Sequence, residues 1–308
     1  MPYPAHVKVV ELGPRDGLQN ERTFVPTPTK IAFIDQLSHC GVSAIEITSF
    51  VKPDKVPQLE DAEAVCAGIK RCPEVTYSAL VPNLSGFERA ISVGLAHIAV
   101  FTAASETFNQ YNIGCGIVES LARFAPVIDR ARAADITVRA YVSCALACPY
   151  EGTVPVRKVI DLTDRLYAMG CSEISLGDTI GAGTPLQARD VLAAVVERVP
   201  IGCVAVHFHD TRGQALANIL ACLELGVSVI DACVSGLGGC PYAPGAGGNV
   251  ATEDVVYMLH GMGIKTGIDL PKLLEAGRFI SQYLGRTNGS RVGRAGLTIT
   301  QLPSPAYP

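Results

Sequence analysis

Tryptophan is absent from this 308-residue chain, aromatic residues make up only 6% of it and charged residues only 18%. Disorder needs the opposite balance, and with 48% apolar residues the sequence can fill a sizeable core. No stretch of about 18 uncharged apolar residues is present, so no membrane-spanning helix is expected. Positive charge is not in excess either. A net charge of −4 and a pI near 5.9 exclude a general nucleic-acid binder, which needs a basic footprint. A local basic pocket for an acidic small molecule is still compatible with those values. No two cysteines have CxxC spacing, which argues against a structural zinc site. The eleven cysteines are an odd number, and Cys203, Cys222 and Cys233 lie in apolar runs, a pattern of free buried thiols rather than a disulfide framework. The N-terminus, MPYPAHVKVVELG, lacks a charged region followed by a long apolar one, so no signal peptide is read and a cytoplasmic setting is expected.

What is present is alternation. Short β-branched runs at Val7–Leu12, Ala44–Thr48, Thr76–Leu80, His97–Thr102, Thr137–Ser143, Glu173–Gly177, Val204–His209 and Val229–Val234 read as strands. Between and after them, Thr29–Cys40, Leu59–Lys70, Ser85–Val93, Ile117–Ala134, Val156–Met169, Leu186–Val199, Gly213–Leu225 and Thr252–His260 carry apolar residues at helical spacing. Gly41, Gly94, Gly170 and Gly226 stand where helices must end before the next strand. Eight strand–helix units with strands apolar on both faces predict an α/β fold, a parallel (β/α)8 TIM barrel. Leu270–Leu284 adds a C-terminal helix. Residues 1–285 are therefore expected to form one barrel domain and residues 286–308 a loose C-terminal arm. A doubly wound open sheet is the rival, but its GxGxxG after the first strand is missing.

A barrel presents its reactive groups at the C-terminal ends of its strands. The first strand leads into Gly13-Pro14-Arg15-Asp16-Gly17-Leu18-Gln19, where Arg15 and Asp16 sit side by side in a tight path. The bland alternative there is a salt-bridged turn. Glu46 in AIEIT must face the barrel interior or be paired, Arg15 being one available partner, because an unpaired buried charge is costly. His207 and His209 are two apart on the seventh strand, so both imidazoles project to one side. Together with Asp16 they read as ligands of a divalent metal, and a mixed N/O set without thiolate suits Mg or Mn. The eighth strand opens into Gly236–Asn249, with six glycines, two prolines and Cys240. Cys240 could act as a proton donor or a nucleophile, or be an incidental loop thiol. Asn249 could lend its side-chain carbonyl to the metal or cap the following helix; both readings stand. The rims after the fifth and sixth strands are small and polar, and could hold a large acyl carrier.

VELGPRDGLQNE, IEITSFV, YVSCALACPYEG, EISLGDTIG, HFHDTRGQALAN and GLGGCPYAPGAGGNVATEDVVYML, taken in order, closely resemble the 3-hydroxy-3-methylglutaryl-CoA lyase family. The resemblance runs from about Val7 to Phe279, and GLGGCPYA is its most specific part. It implies a carbon–carbon lyase of leucine degradation, acting on an acyl-CoA with a divalent metal, and assembling as a homo-oligomer. It further implies Asp16, His207, His209 and Asn249 as metal ligands, with Arg15, Asp16, Glu46, His207 and Cys240 as catalytic groups. Gln19, Ser49, Asn112, Ser175 and Asp178 are rim candidates for contacts to CoA, with Arg15 beside them. Two departures stand out: position 212 is Arg where other members often carry Tyr, and no cysteine follows Arg286. Related readings are a lyase for a longer alkyl substituent such as isohexenyl, a Claisen-type synthase, and a non-catalytic CoA-binding barrel.

Overall fold

The computed structural model describes residues 3–239 and 248–297. The barrel strands are β1 (Lys8–Glu11), β2 (Ala44–Ser49), β3 (Thr76–Leu80), β4 (His97–Ala103), β5 (Thr137–Ser143), β6 (Glu173–Asp178), β7 (Val204–Phe208) and β8 (Val229–Ala232). They are all parallel and close in the order β1-β8-β7-β6-β5-β4-β3-β2. β2 is buried along its whole length and β7 likewise, as strands covered on both faces must be. A register shift between Glu46 and Thr48 marks a bulge within β2, a device that re-aims side chains near a site.

The helices are α1 (Thr27–Ser38), α2 (Ala62–Gly68), α3 (Leu84–Ser92), α4 (Glu106–Ile113), α5 (Ile117–Ala133), α6 (Val156–Met169), α7 (Pro185–Val195), α8 (Ala215–Leu223), α9 (Thr252–Gly261), α10 (Leu270–Leu284) and α11 (Arg291–Ala295). The four helix-ending glycines at 41, 94, 170 and 226 all have positive φ, the conformation expected of them. Two helices were not anticipated. α4 is short and polar, and forms because Ser105 caps it, its side chain accepting from the Phe108 N–H. α11 is five residues long and has Ser290 as its cap, accepting from the Gly293 N–H.

α11 also corrects the expectation of a loose arm over residues 286–297. The buried Ser290 donates its hydroxyl to Asp254 at 2.6 Å, and the N–H groups of Arg291 and Val292 donate to the same carboxylate. Arg291 also reaches Asp210, at 3.2 Å. These contacts are polar and distant in sequence, so apolar periodicity carried no sign of them.

Candidate active site and metal centre

The turn after β1 brings Arg15 and Asp16 over the barrel mouth. It closes with the Arg15 and Gly17 N–H groups both donating to the Leu12 carbonyl. A side chain at Gly13 would place Cβ 2.6 Å from the Glu11 carboxylate, and one at Gly17 would place it 2.7 Å from Leu237, so both glycines are required by close approach. The Arg15 guanidinium donates to Glu46 through Nε and to Asp16 through Nη1, the latter at 2.5 Å, and it lies over the Tyr141 ring. Glu46 is fully buried and also accepts from the Tyr141 hydroxyl at 3.0 Å. Its location thus satisfies the pairing argument made from the sequence, with Arg15 as partner.

Asp16, His207 and His209 can each offer one ligand atom, and these atoms lie within 4.8 Å of one another. Burial opposes the charged form of Asp16, but Arg15, His207 and His209 outweigh it and hold the carboxyl well below the usual range. Burial pushes His209 down to about 4, so its imidazole is neutral and fit to ligate. The buried Nδ1 of His209 has no hydrogen-bond partner among the described residues. Asn249 pairs with His209 through an antiparallel bridge, and its amide donates to Asp16 at 2.8 Å and to the Leu237 carbonyl. With both amide hydrogens directed to oxygens, the side-chain carbonyl is the atom left to serve a cation. A neutral imidazole, a charged carboxylate and a second imidazole, each offering a ligand atom within 4.8 Å of the others, fit a divalent metal of the kind the sequence suggested.

These groups floor a cavity of about 770 Å³. Arg15, Asp16, His207 and His209 line its depth, Leu80, Phe101, Phe124 and Val142 its apolar wall, and Lys52, Lys55 and Arg123 add positive charge. Gln19 and Asn112 also line it. Ser175 does so too, but its hydroxyl is spent inside the barrel, donating to Asp231 at 2.7 Å. Two rim candidates are placed differently. Ser49 is buried, with its hydroxyl accepting from the Val51 N–H, and Asp178 is buried, accepting from the Ala182 and Gly183 N–H groups. Both organise their own loops and neither is part of the cavity lining. Arg212 donates to the carbonyls of Ile180 and Gly181 and so fastens the loop after β6. Cys240 lies outside the described residues.

Asp231, Arg139 and Tyr141 escaped the sequence reading. Each interrupts an apolar strand, VIDACV or TVRAYVS, which is the same signal that drew attention to Glu46. Burial opposes charge on Asp231, but the Arg139 guanidinium at 2.5 Å prevails and lowers it to about 2.

The chain matches the HMGL-like family over residues 6–280. It belongs to that family. This HMGL-like chain is 57% identical to hydroxymethylglutaryl-CoA lyase, mitochondrial, of Gallus gallus, across 95% of its own length and 98% of that protein. It is 57% identical to 3-hydroxy-3-methylglutaryl-CoA lyase, cytoplasmic, of Mus musculus, across 95% of its length and 85% of that protein. Among solved structures it is similar to hydroxymethylglutaryl-CoA lyase from Pseudomonas aeruginosa, with a TM-score of 0.94 and 52% identity, covering 96% of this chain and 98% of that one. A lyase from Acinetobacter baumannii, solved in complex with coenzyme A and 3-methylmalate, gives a TM-score of 0.93 at 37% identity, covering 99% of this chain and 100% of that one. The fold is thus a TIM barrel, as the alternation predicted.

Proposed function

We propose that this HMGL-like protein cleaves 3-hydroxy-3-methylglutaryl-CoA between C2 and C3, giving acetoacetate and acetyl-CoA. The observation that carries the reading is the convergence of Asp16, His207 and His209 beside Arg15 at the floor of one large cavity. Lys52, Lys55 and Arg123 supply the charge that a phosphate-bearing acyl carrier needs.

Asp16, His207 and His209, with the side-chain carbonyl of Asn249, would hold the divalent metal, Mg or Mn. When bound, it would acidify the C3 hydroxyl and fix the substrate's geometry. Asp16 and His207 are the candidates to take the hydroxyl proton; where the Nε2 lone pair of His207 is given to the metal, that task falls to Asp16. As the C2–C3 bond breaks, its electron pair moves onto the thioester as an enolate, and C3 becomes the ketone of acetoacetate. Arg15 cannot lose its proton and is held rigidly by Glu46 and Asp16, so it meets the growing enolate charge without reorganising; such help is often worth about 3 kcal/mol. On the family resemblance, the Cys240 thiol then gives its proton to the enolate carbon, completing acetyl-CoA.

The deciding experiment is a coupled assay of acetyl-CoA release with added Mg or Mn, run beside the isohexenyl analogue. Release from the methyl substrate is expected. Turnover of only the longer analogue would replace the substrate, and no turnover of either would overturn the reading. Cys240→Ala should keep metal affinity and lose most turnover; undiminished turnover removes the thiol from the mechanism. We further read the protein as cytoplasmic, supported by its ten free cysteines among the described residues, and as an assembly of two or more copies, which light scattering tests.

A further inference from the structure

His207 and His209 lie on one strand and face one site, yet they are held by different means. His209 Nδ1 has no hydrogen-bond partner among the described residues, whereas His207 Nδ1 faces the Asp231 carboxylate at 3.3 Å. Asp231 is the register partner of His207 on the neighbouring strand, so β7–β8 pairing itself sets the two side by side. The carboxylate is fixed in turn: Oδ1 accepts from Arg139 at 2.5 Å and Oδ2 from the Ser175 hydroxyl at 2.7 Å. Arg139 is braced from below by Glu173, its own register partner across β5–β6, and Glu173 pairs with Lys8 at 2.6 Å. A run of alternating charges therefore extends from the foot of the barrel to His207.

We infer that Asp231 is the positioning residue of the cation site, fixing both the tautomer and the direction of the His207 ring. A salt-bridged carboxylate has no proton to give, so the hydrogen between the two groups belongs to Nδ1. Nε2 then carries the lone pair and is the nitrogen turned to Asp16, at 4.0 Å. The neutral ring has two tautomers and can flip; Asp231 selects the one arrangement that presents a donor atom to a cation. Partners of this kind set the basicity and aim of a ligating imidazole, and losing them typically costs about 10–100-fold in metal affinity. The inference rests on the reading of Asp16, His207 and His209 as cation ligands.

The test has two arms. In metal-free, 15N-labelled wild type, long-range 15N–1H correlations should show His207 protonated on Nδ1, its signals assigned by their loss in His207→Gln. Protonation on Nε2 overturns the inference, whether or not any variant folds. In the second arm, Mn2+ binding is titrated by electron paramagnetic resonance. Asp231→Asn should weaken it about 10–100-fold and yield a mixture of His207 tautomers. Ser175→Ala, which removes one support of Asp231 but leaves the carboxylate beside His207, should weaken binding less than Asp231→Asn does, and an equal or larger loss would shift the positioning role from Asp231 to Ser175. Asp231→Asn with unchanged affinity and an unchanged tautomer refutes the inference. Wild type that fails to bind Mn2+ refutes the metal reading instead, and the tautomer measurement still reports on Asp231.

Discussion

Two sets of buried carboxylates share this barrel and are held in opposite ways. Around the axis, Asp16, Glu46 and Asp231 each lie against an arginine, and Asp16 and Asp231 are kept charged by it. Beneath the loop that leaves β8, Glu11 and Glu253 are fully buried, and their described partners are neutral. Glu11 accepts from the N–H groups of Gly13 and Val234 and from the Thr252 hydroxyl; Glu253 accepts from the Ser235 N–H. Burial pushes Glu11 up to about 7 and Glu253 to about 8, despite those hydrogen bonds. Asp16 and Asp231 are ionic because an arginine lies against each. The second set secures the turn at Val234–Gly236 and can do so with or without its protons.

Arg139→Met attacks the first set and should have the largest effect. It strips Asp231 of its counter-ion, and breaking a buried pair in this way costs about 3–5 kcal/mol. Denaturant unfolding would measure the loss; a cost below about 1 kcal/mol would mean the axial charges are not interdependent. Gly277→Ala attacks the second set. Its Cβ would lie 2.5 Å from a Glu253 carboxylate oxygen and 2.9 Å from the Ser235 hydroxyl. Overpacking there should cost about 1–3 kcal/mol while leaving Mn2+ affinity unchanged. A clear loss of Mn2+ affinity would show that the two sets are coupled.

A third effect is in pH, and it has opposite signs in the two sets. Folding raises Glu11 and Glu253 above their ordinary value of 4.5, so the stability they add is complete below that pH and is lost as pH rises through about 7 and 8. Folding lowers Asp231 from 3.8 to about 2, so its contribution is complete above 3.8 and is lost as pH falls through about 2. The melting temperature should therefore decline from pH 5 to 8, and Glu253→Gln should flatten that decline. An equally steep decline in the variant would take Glu253 out of the account.

The barrel was legible because its strands are apolar on both faces and its helices end at glycines, signals that survive without tertiary information. Asp16, His207 and His209 were legible for a similar reason: position at a strand end gives polar residues a meaning. Asp231 was overlooked because one acid in an apolar strand does not disclose its partner. Arg139 lies 92 residues away in sequence, and only barrel closure brings the two together. Ser49, Ser175 and Asp178 show the converse. Their polarity suggested outward contacts, but their hydrogen bonds are spent on the protein's own loops and strands.

The docking of α11 has a consequence for how the rim of the site is held. Asp210 follows His209 directly, and Asp254 stands five residues beyond Asn249; Arg291 binds both carboxylates, one through its side chain and one through its backbone. The turn after β7 and the first turn of α9, on either side of the cluster, are thus fastened to a single latch. Amide hydrogens in these two segments should exchange with solvent as one cooperative unit, and a chain ending at residue 285 should split that unit into two.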